Sequence, residues 1–170
     1  FSCRKILLPI ALDFCKKNKL DLKILARSKN NKHLKYEKNF YNNLISSNEF
    51  EFLENKEWKQ SYQFIDKAKL VMTIYSALGL ESLARGNRTI FFNVRNIIVP
   101  DEDLNLFSST KKIATKGQFW TNEITKEEFN RVAQNGILYT DEEWKKSLSD
   151  LIPNLIDYDF HNKKFSEILD

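Results

Sequence analysis

Ser76 and Glu81 stand five residues apart in a stretch, Leu70–Gly86, that reads as a buried strand, a sharp turn at Ser76 and a short helix, with a second strand over Thr89–Arg95. A small polar residue where a strand hands over to a helix aims free backbone N–H groups and the positive end of the helix dipole at one point. That is the chemistry of phosphate binding. Glu81 falls about one and a half turns into the helix, at a distance suited to a sugar hydroxyl beside that phosphate. A nucleotide-sugar is the ligand that most simply uses both features.

In parallel sheets ligands bind outside the carboxyl ends of the strands. The strand ends here carry Arg27 and Ser28, then Glu54, then Ser76, then Arg95. Arg27 can grip phosphate oxygens in a bidentate way, Lys29 can assist as a point charge, and Ser76 with the helix amides supplies neutral donors. Each residue also has a purely structural reading. Arg27 fits a solvated loop, Ser76 fits an ordinary N-cap, and Glu81 fits a carboxylate placed favourably near a helix N-terminus. Coincidence in one crevice is what favours the ligand reading.

Gly86 is expected to end the helix in a left-handed C′ conformation, with Arg85 at the negative end of the dipole. The patch Gly117-Gln-Phe-Trp-Thr-Asn122 reads as a short polar loop holding two adjacent aromatics. Phe119 and Trp120 are either a plug packing the C-terminal helices onto the sheet or a wall of the crevice. His33 and His161 have no partner at metal-ligand or triad spacing and read as surface residues. No Walker loop, G-x-G-x-x-G, G-x-S-x-G or metal motif occurs. No acid–base pair can be assigned from spacing, so catalytic residues stay unknown and no metal or cofactor is expected.

The elements that must position these groups follow from periodicity. Leu8, Ala11, Leu12 and Cys15 form a helical stripe closed by Lys16, Lys17 and Lys19, with Pro9 placed in the first turn. Leu20 to Ala26 alternates as a strand, His33 to Ile45 is helical, Phe50–Leu53 is a short strand and Trp58 to Ala68 a further helix. The alternation through residue 95 implies a parallel sheet covered on both faces. Residues 96–112 read as a loop with Pro100 and the acidic run Asp101-Glu-Asp103, and Lys112–Lys116 as a last short strand. Capping boxes at Thr125–Glu128 and Thr140–Glu143 announce two helices. Pro153 precedes a final helical stretch with Phe165, Ile168 and Leu169.

The 170 residues suit one domain able to bury roughly two thirds of its unfolded surface. The 42% hydrophobic and 29% charged fractions belong to an ordinary globular chain. A net charge of +4, with Lys and Glu interspersed, gives no reason to expect nucleic acid as a partner. Two cysteines, Cys3 and Cys15, make neither a disulfide scaffold nor a metal site, and Cys15 reads as a small core residue. Reduced thiols suit a cytoplasm, and no run approaches the length of a membrane span. The start at Phe1, leading at once into an apolar pattern, reads as a fragment of a longer protein.

The segment Thr73-Ile-Tyr-Ser-Ala-Leu-Gly-Leu-Glu-Ser-Leu-Ala-Arg-Gly86, followed by Ile90-Phe-Phe92, resembles the donor-domain motif of GT-B glycosyltransferases. The nearest variant is the family of bacterial surface carbohydrate biosynthesis proteins. That family is also similar in the Arg27-Ser-Lys29 loop, the Gly117–Asn122 patch and the helix start Asp141-Glu-Glu-Trp144. The resemblance covers about residues 5–165. It implies an α/β, Rossmann-like three-layer domain with a mainly parallel sheet plus C-terminal helices. On this reading residues 1–95 are the αβ repeats, 96–124 the loop and last strand, and 125–170 the C-terminal helices.

By the same resemblance, Ser76, Ala77, Leu78 and Gly79 meet the donor phosphates, Glu81 meets the ribose, and Arg27 and Lys29 neutralise phosphate charge in place of a metal. Ala77 stands where the motif usually has Thr, which removes one hydroxyl contact. The implied function is the nucleotide-sugar donor-binding half of a cytoplasmic glycosyltransferase of surface polysaccharide biosynthesis. Its partners are the donor and an N-terminal acceptor domain outside this chain, with peripheral membrane association open to the full protein. The isolated chain is expected to bind donor without turning it over. The alternatives are a sugar-nucleotide epimerase-like domain and a non-catalytic nucleotide-binding or assembly module.

Overall fold

The computed structural model describes residues 2–57, 59–74, 76–92, 94 and 116–149. Helices and strands alternate along the first part of the chain. The order is α1 (Ser2–Lys17), β1 (Lys23–Leu25), α2 (Asn31–Asn42), β2 (Glu51–Leu53), α3 (Gln60–Lys67), β3 (Val71–Thr73), α4 (Ala77–Ala84) and β4 (Thr89–Phe92). A two-residue strand, β5 (Trp120–Thr121), then precedes α5 (Lys126–Leu138) and α6 (Asp141–Ser149). The described residues thus form a mixed α/β fold with six helices and two short parallel sheets.

In one sheet β1 pairs with β2, Ile24 opposite Phe52. In the other the order is β3-β4-β5, with Met72 opposite Ile90 and Phe91 opposite Trp120. All four residues of β4 are buried, as a central parallel strand requires. Of the strand expected over Lys112–Lys116, only Lys116 is described. Lys116 makes a single antiparallel bridge to Thr121, while Trp120 and Thr121, expected in a polar loop, form β5. Two residues are too few to show any alternation. Residues 96–115, including most of the expected last strand, the final helical stretch, Trp58, Arg95 and His161 lie outside the described residues.

Helix α1 starts earlier than its stripe suggested, because Cys3 and Leu7 extend the buried face toward the N-terminus. Pro9 therefore sits inside the helix rather than in its first turn. Both Pro9 and Lys5, whose carbonyl loses its amide partner, are exposed, so water can serve the freed oxygen. The helix closes in a Schellman arrangement: Leu20 N–H donates to Cys15 O at 2.9 Å and Lys19 N–H to Lys16 O at 3.4 Å. Lys19 takes the left-handed conformation, φ 54°, that glycine usually supplies there. This turn uses up residues expected in β1, which is reduced to three.

The second capping box is reciprocal. Thr140 Oγ1 accepts from Glu143 N–H at 3.2 Å, and Glu143 Oε2 accepts from Thr140 N–H at 2.8 Å. The first is half a box. Thr125 caps Glu128 N–H, but the Glu128 carboxylate turns to Arg131 instead.

The core has two unequal clusters. The larger joins α1, β4, α5 and α6 through Phe14, Phe92, Phe129, Phe119 and Trp144, with Phe92 and Phe129 stacked at 4.8 Å. The smaller holds Leu12, Cys15, Leu22 and Ile45, with Met72 of β3 packed against it. Each large apolar side chain buried contributes roughly 1.5–3 kcal/mol, so the larger cluster dominates stability. Both cysteines are buried and unpaired, and burial raises the Cys15 pKa, helped by Asp21. Among the described residues no helix is long and apolar enough to cross a membrane.

Candidate functional site

Helix α4 carries most of the predicted site. Ser76 has the extended backbone of an N-cap, φ −152° and ψ 134°, and its carbonyl accepts from Gly79 N–H at 3.0 Å and Leu80 N–H at 3.3 Å. Its exposed side chain makes no capping hydrogen bond. The hydroxyl and the amides of Ala77 and Leu78, which precede the first helical hydrogen bond, therefore lie at the same exposed helix start. Ala77 is exposed beside it and Leu78 half-buried.

Gly79 is buried, and its role in the fold is close approach. A Cβ there would lie 2.6 Å from Thr73 Cγ2, so glycine lets α4 pack tightly on the end of β3. This is the helix–strand contact that fixes where the start of α4 points. Ser82 and Thr89 add a buried hydroxyl pair at 2.8 Å that ties the same helix to β4.

Glu81 projects toward α3. Tyr62 donates its hydroxyl hydrogen to Glu81 Oε2 at 2.6 Å. One turn further along both helices, Arg85 forms a two-point ion pair with Asp66, Nε donating to Oδ1 at 2.9 Å, and Asn87 donates to the same oxygen at 2.8 Å. The Arg85 guanidinium also lies 5.4 Å from the centre of the Tyr62 ring. Hydrogen bonding from Arg85 holds the Asp66 pKa below its usual value. Tyr62 and Asp66 are thus paired with Glu81 and Arg85, both sets at i, i+4 spacing. Sequence reasoning missed Tyr62, since spacing along one helix does not reveal what faces it from another.

Arg27 and Lys29 lie in the loop after β1, both exposed. Glu37 of α2 accepts from the Arg27 backbone N–H at 3.1 Å. Asn30 caps α2 by accepting from Lys32 and His33, which orders the loop that presents the two cations. Among the described residues no hydrogen bond or ion pair joins Arg27 or Lys29 to α4. Past β2, Glu54 lies 3.9 Å from Lys56. The neighbouring Asn55, which the sequence did not single out, donates to Ser61 at 2.6 Å, and its buried Oδ1 has no partner among the described residues.

Phe119 and Trp120 serve different purposes. Phe119 is only 1% exposed and packs against Trp144 of α6 at 5.6 Å, the position of a plug between helix and sheet. Trp120 is half-buried and lays its ring over Gly117. Arg131 clamps the patch from α5, donating to Gly117 O at 2.8 Å while it pairs with Glu128. His33 is exposed, and no group of three metal-ligating side chains occurs among the described residues. A groove of about 340 Å³, lined by Leu12, Cys15, Lys16 and Phe50 among others, opens at the amino ends of β1 and β2. It is at the opposite end of β1 from Arg27.

The profile of a family described as "putative O-antigen biosynthesis protein" matches residues 1–170. Neither curated proteins nor solved structures gave a significant match.

Proposed function

The chain belongs to this O-antigen biosynthesis family, and from that premise we propose that it is the nucleotide-sugar donor-binding half of a glycosyltransferase. The observation that carries the reading is the start of α4. An exposed serine hydroxyl, unused for capping, stands beside first-turn amides, and Glu81 follows on the same helix. Such a terminus suits a diphosphate, and a carboxylate one and a half turns on suits the attached ribose.

The strand pairings support a Rossmann-like arrangement. The β1–β2 and β3-β4-β5 ladders are both parallel, and Met72 of β3 packs against the cluster that holds Leu22, just before β1. We read the two sheets as parts of one, in the order β2-β1-β3-β4-β5. On that reading the chain would reverse direction across the sheet between β1 and β3, the kind of switch point where doubly wound sheets bind ligands. Arg27 and Lys29, after β1, and Ser76, after β3, would then flank it from its two sides. Their charges balance the leaving diphosphate without a metal, and the acceptor and the catalytic base come from a partner domain outside this chain. In this reading the protein works in the cytoplasm.

A thermal-shift series with CMP, UDP, GDP and their sugar conjugates tests the reading. A nucleotide at 100 times its dissociation constant is expected to add about 2.7 kcal/mol of stability. Ser76→Ala combined with Glu81→Ala should shrink that shift and leave a folded domain. No shift with any of these nucleotides at millimolar concentration would overturn the donor site.

A further inference from the structure

We infer that Tyr62 is a positioning residue that sets Glu81 to receive a ribose diol, an inference that rests on the nucleotide-binding reading above. A carboxylate has about four lone-pair directions, and a free Glu side chain rotates among them. The Tyr62 hydroxyl, 2.6 Å from Oε2, pins that oxygen from the α3 side. Oε1 and the remaining lone pair of Oε2 are then held in one plane for two adjacent hydroxyl donors. Charge-assisted hydrogen bonds of this kind are the strong ones, and they reward fixed geometry.

The tyrosine is itself held. Arg85 lies over its ring at 5.4 Å and is anchored by Asp66, which also accepts from Asn87. The support therefore runs from Asp66 through Arg85 and Tyr62 to Glu81. It joins α3 to α4 at the residue proposed to meet the sugar. A contact serving only helix packing needs no hydroxyl at this point, since a phenylalanine ring would fill the same space.

The test compares each ribonucleotide with its 2′-deoxy counterpart, using UDP, GDP and CMP and calorimetric titration of the 170-residue chain. The wild type is expected to prefer the ribonucleotide. Tyr62→Phe should weaken ribonucleotide binding about ten-fold, the loss of roughly one such hydrogen bond, and leave the deoxynucleotide within about two-fold. A variant that binds both sugars as the wild type does would overturn the positioning role while leaving the donor site standing. Failure of the wild type to bind any nucleotide would overturn the donor reading itself. Should Tyr62→Phe fail to fold, Arg85→Met removes the cation that steadies the ring while the Tyr62 hydroxyl itself is retained. A selective loss of ribonucleotide affinity then supports the inference, and an unchanged ribose preference overturns it.

Discussion

Replacing Gly117 by alanine is expected to destabilise the fold by about 3 kcal/mol. The added Cβ would lie 2.1, 2.2 and 2.3 Å from Cη2, Cζ3 and Cζ2 of Trp120, far inside van der Waals contact. The ring has little freedom to retreat. Phe119 meets it edge-on at 5.0 Å, Gly117 N–H donates to Trp120 O at 2.9 Å, and Arg131 holds the Gly117 carbonyl. Either the ring or the short turn must move, and both carry β5 and its pairing with β4. Urea unfolding followed by tryptophan fluorescence would measure the loss. Gly117→Ala combined with Trp120→Leu should recover part of it, because the obstructing ring is then gone. An unchanged midpoint in the single variant would show that the ring is not fixed over the glycine.

Acid should weaken the same region between about pH 4.5 and 2. Glu128 is held down to about 2 from an ordinary 4.5, first by hydrogen bonds from Arg131 and then by the Thr121 hydroxyl, with Arg131 and Lys116 adding their charges against the cost of burial. The carboxylate accepts from Arg131 Nε at 3.0 Å and from Nη2 at 2.8 Å, and its side chain is only 14% exposed. Because the folded pKa lies below the unfolded one, the contribution is complete above pH 4.5 and lost as the pH falls toward 2. It amounts to about 2–3 kcal/mol, allowing for some screening by water. Asp13, Asp66, Asp141 and Glu143 are also depressed and titrate in the same direction. Melting curves of Glu128→Gln and wild type between pH 2 and 7 isolate this residue. The variant should be less stable at pH 7 and converge on the wild type near pH 2. Parallel curves throughout would refute the assignment.

The helices announced themselves where short-range chemistry decides them. The two capping boxes, the apolar stripe of α1 and the turn at Ser76 all act within a few residues, and α5, α6, α1 and α4 stand there. Boundaries set by packing were less readable. Helix α1 runs back to Ser2 because Cys3 and Leu7 meet the main core, and Cys3 donates its thiol hydrogen to Val94 O at 3.2 Å. Nothing next to Cys3 in the chain indicates that partner. β5 escaped notice for the opposite reason, being a two-residue strand held by its neighbour rather than by its own propensity. At the candidate site, Ser76 and Glu81 were readable because one helix carries both. Tyr62 belongs to another helix, and only the docking of α3 on α4 brings its hydroxyl to the carboxylate. Likewise Glu128 looked like half of a capping box until Arg131 and Lys116 competed for it.

The unequal division of the core implies that the molecule does not breathe as one body. β1 and β2 share a ladder of three residue pairs over a cluster of four buried side chains, whereas β3, β4 and β5 rest on the large aromatic cluster. Sub-global opening costs less where fewer apolar contacts must be broken. The amides of β1 and β2 should therefore exchange with solvent faster than those of β4. Arg27 and Lys29 hang from the looser part, and the start of α4 belongs to the firmer one. A ligand gripping both would couple the two, and its arrival should be readable as slower exchange in β1 and β2.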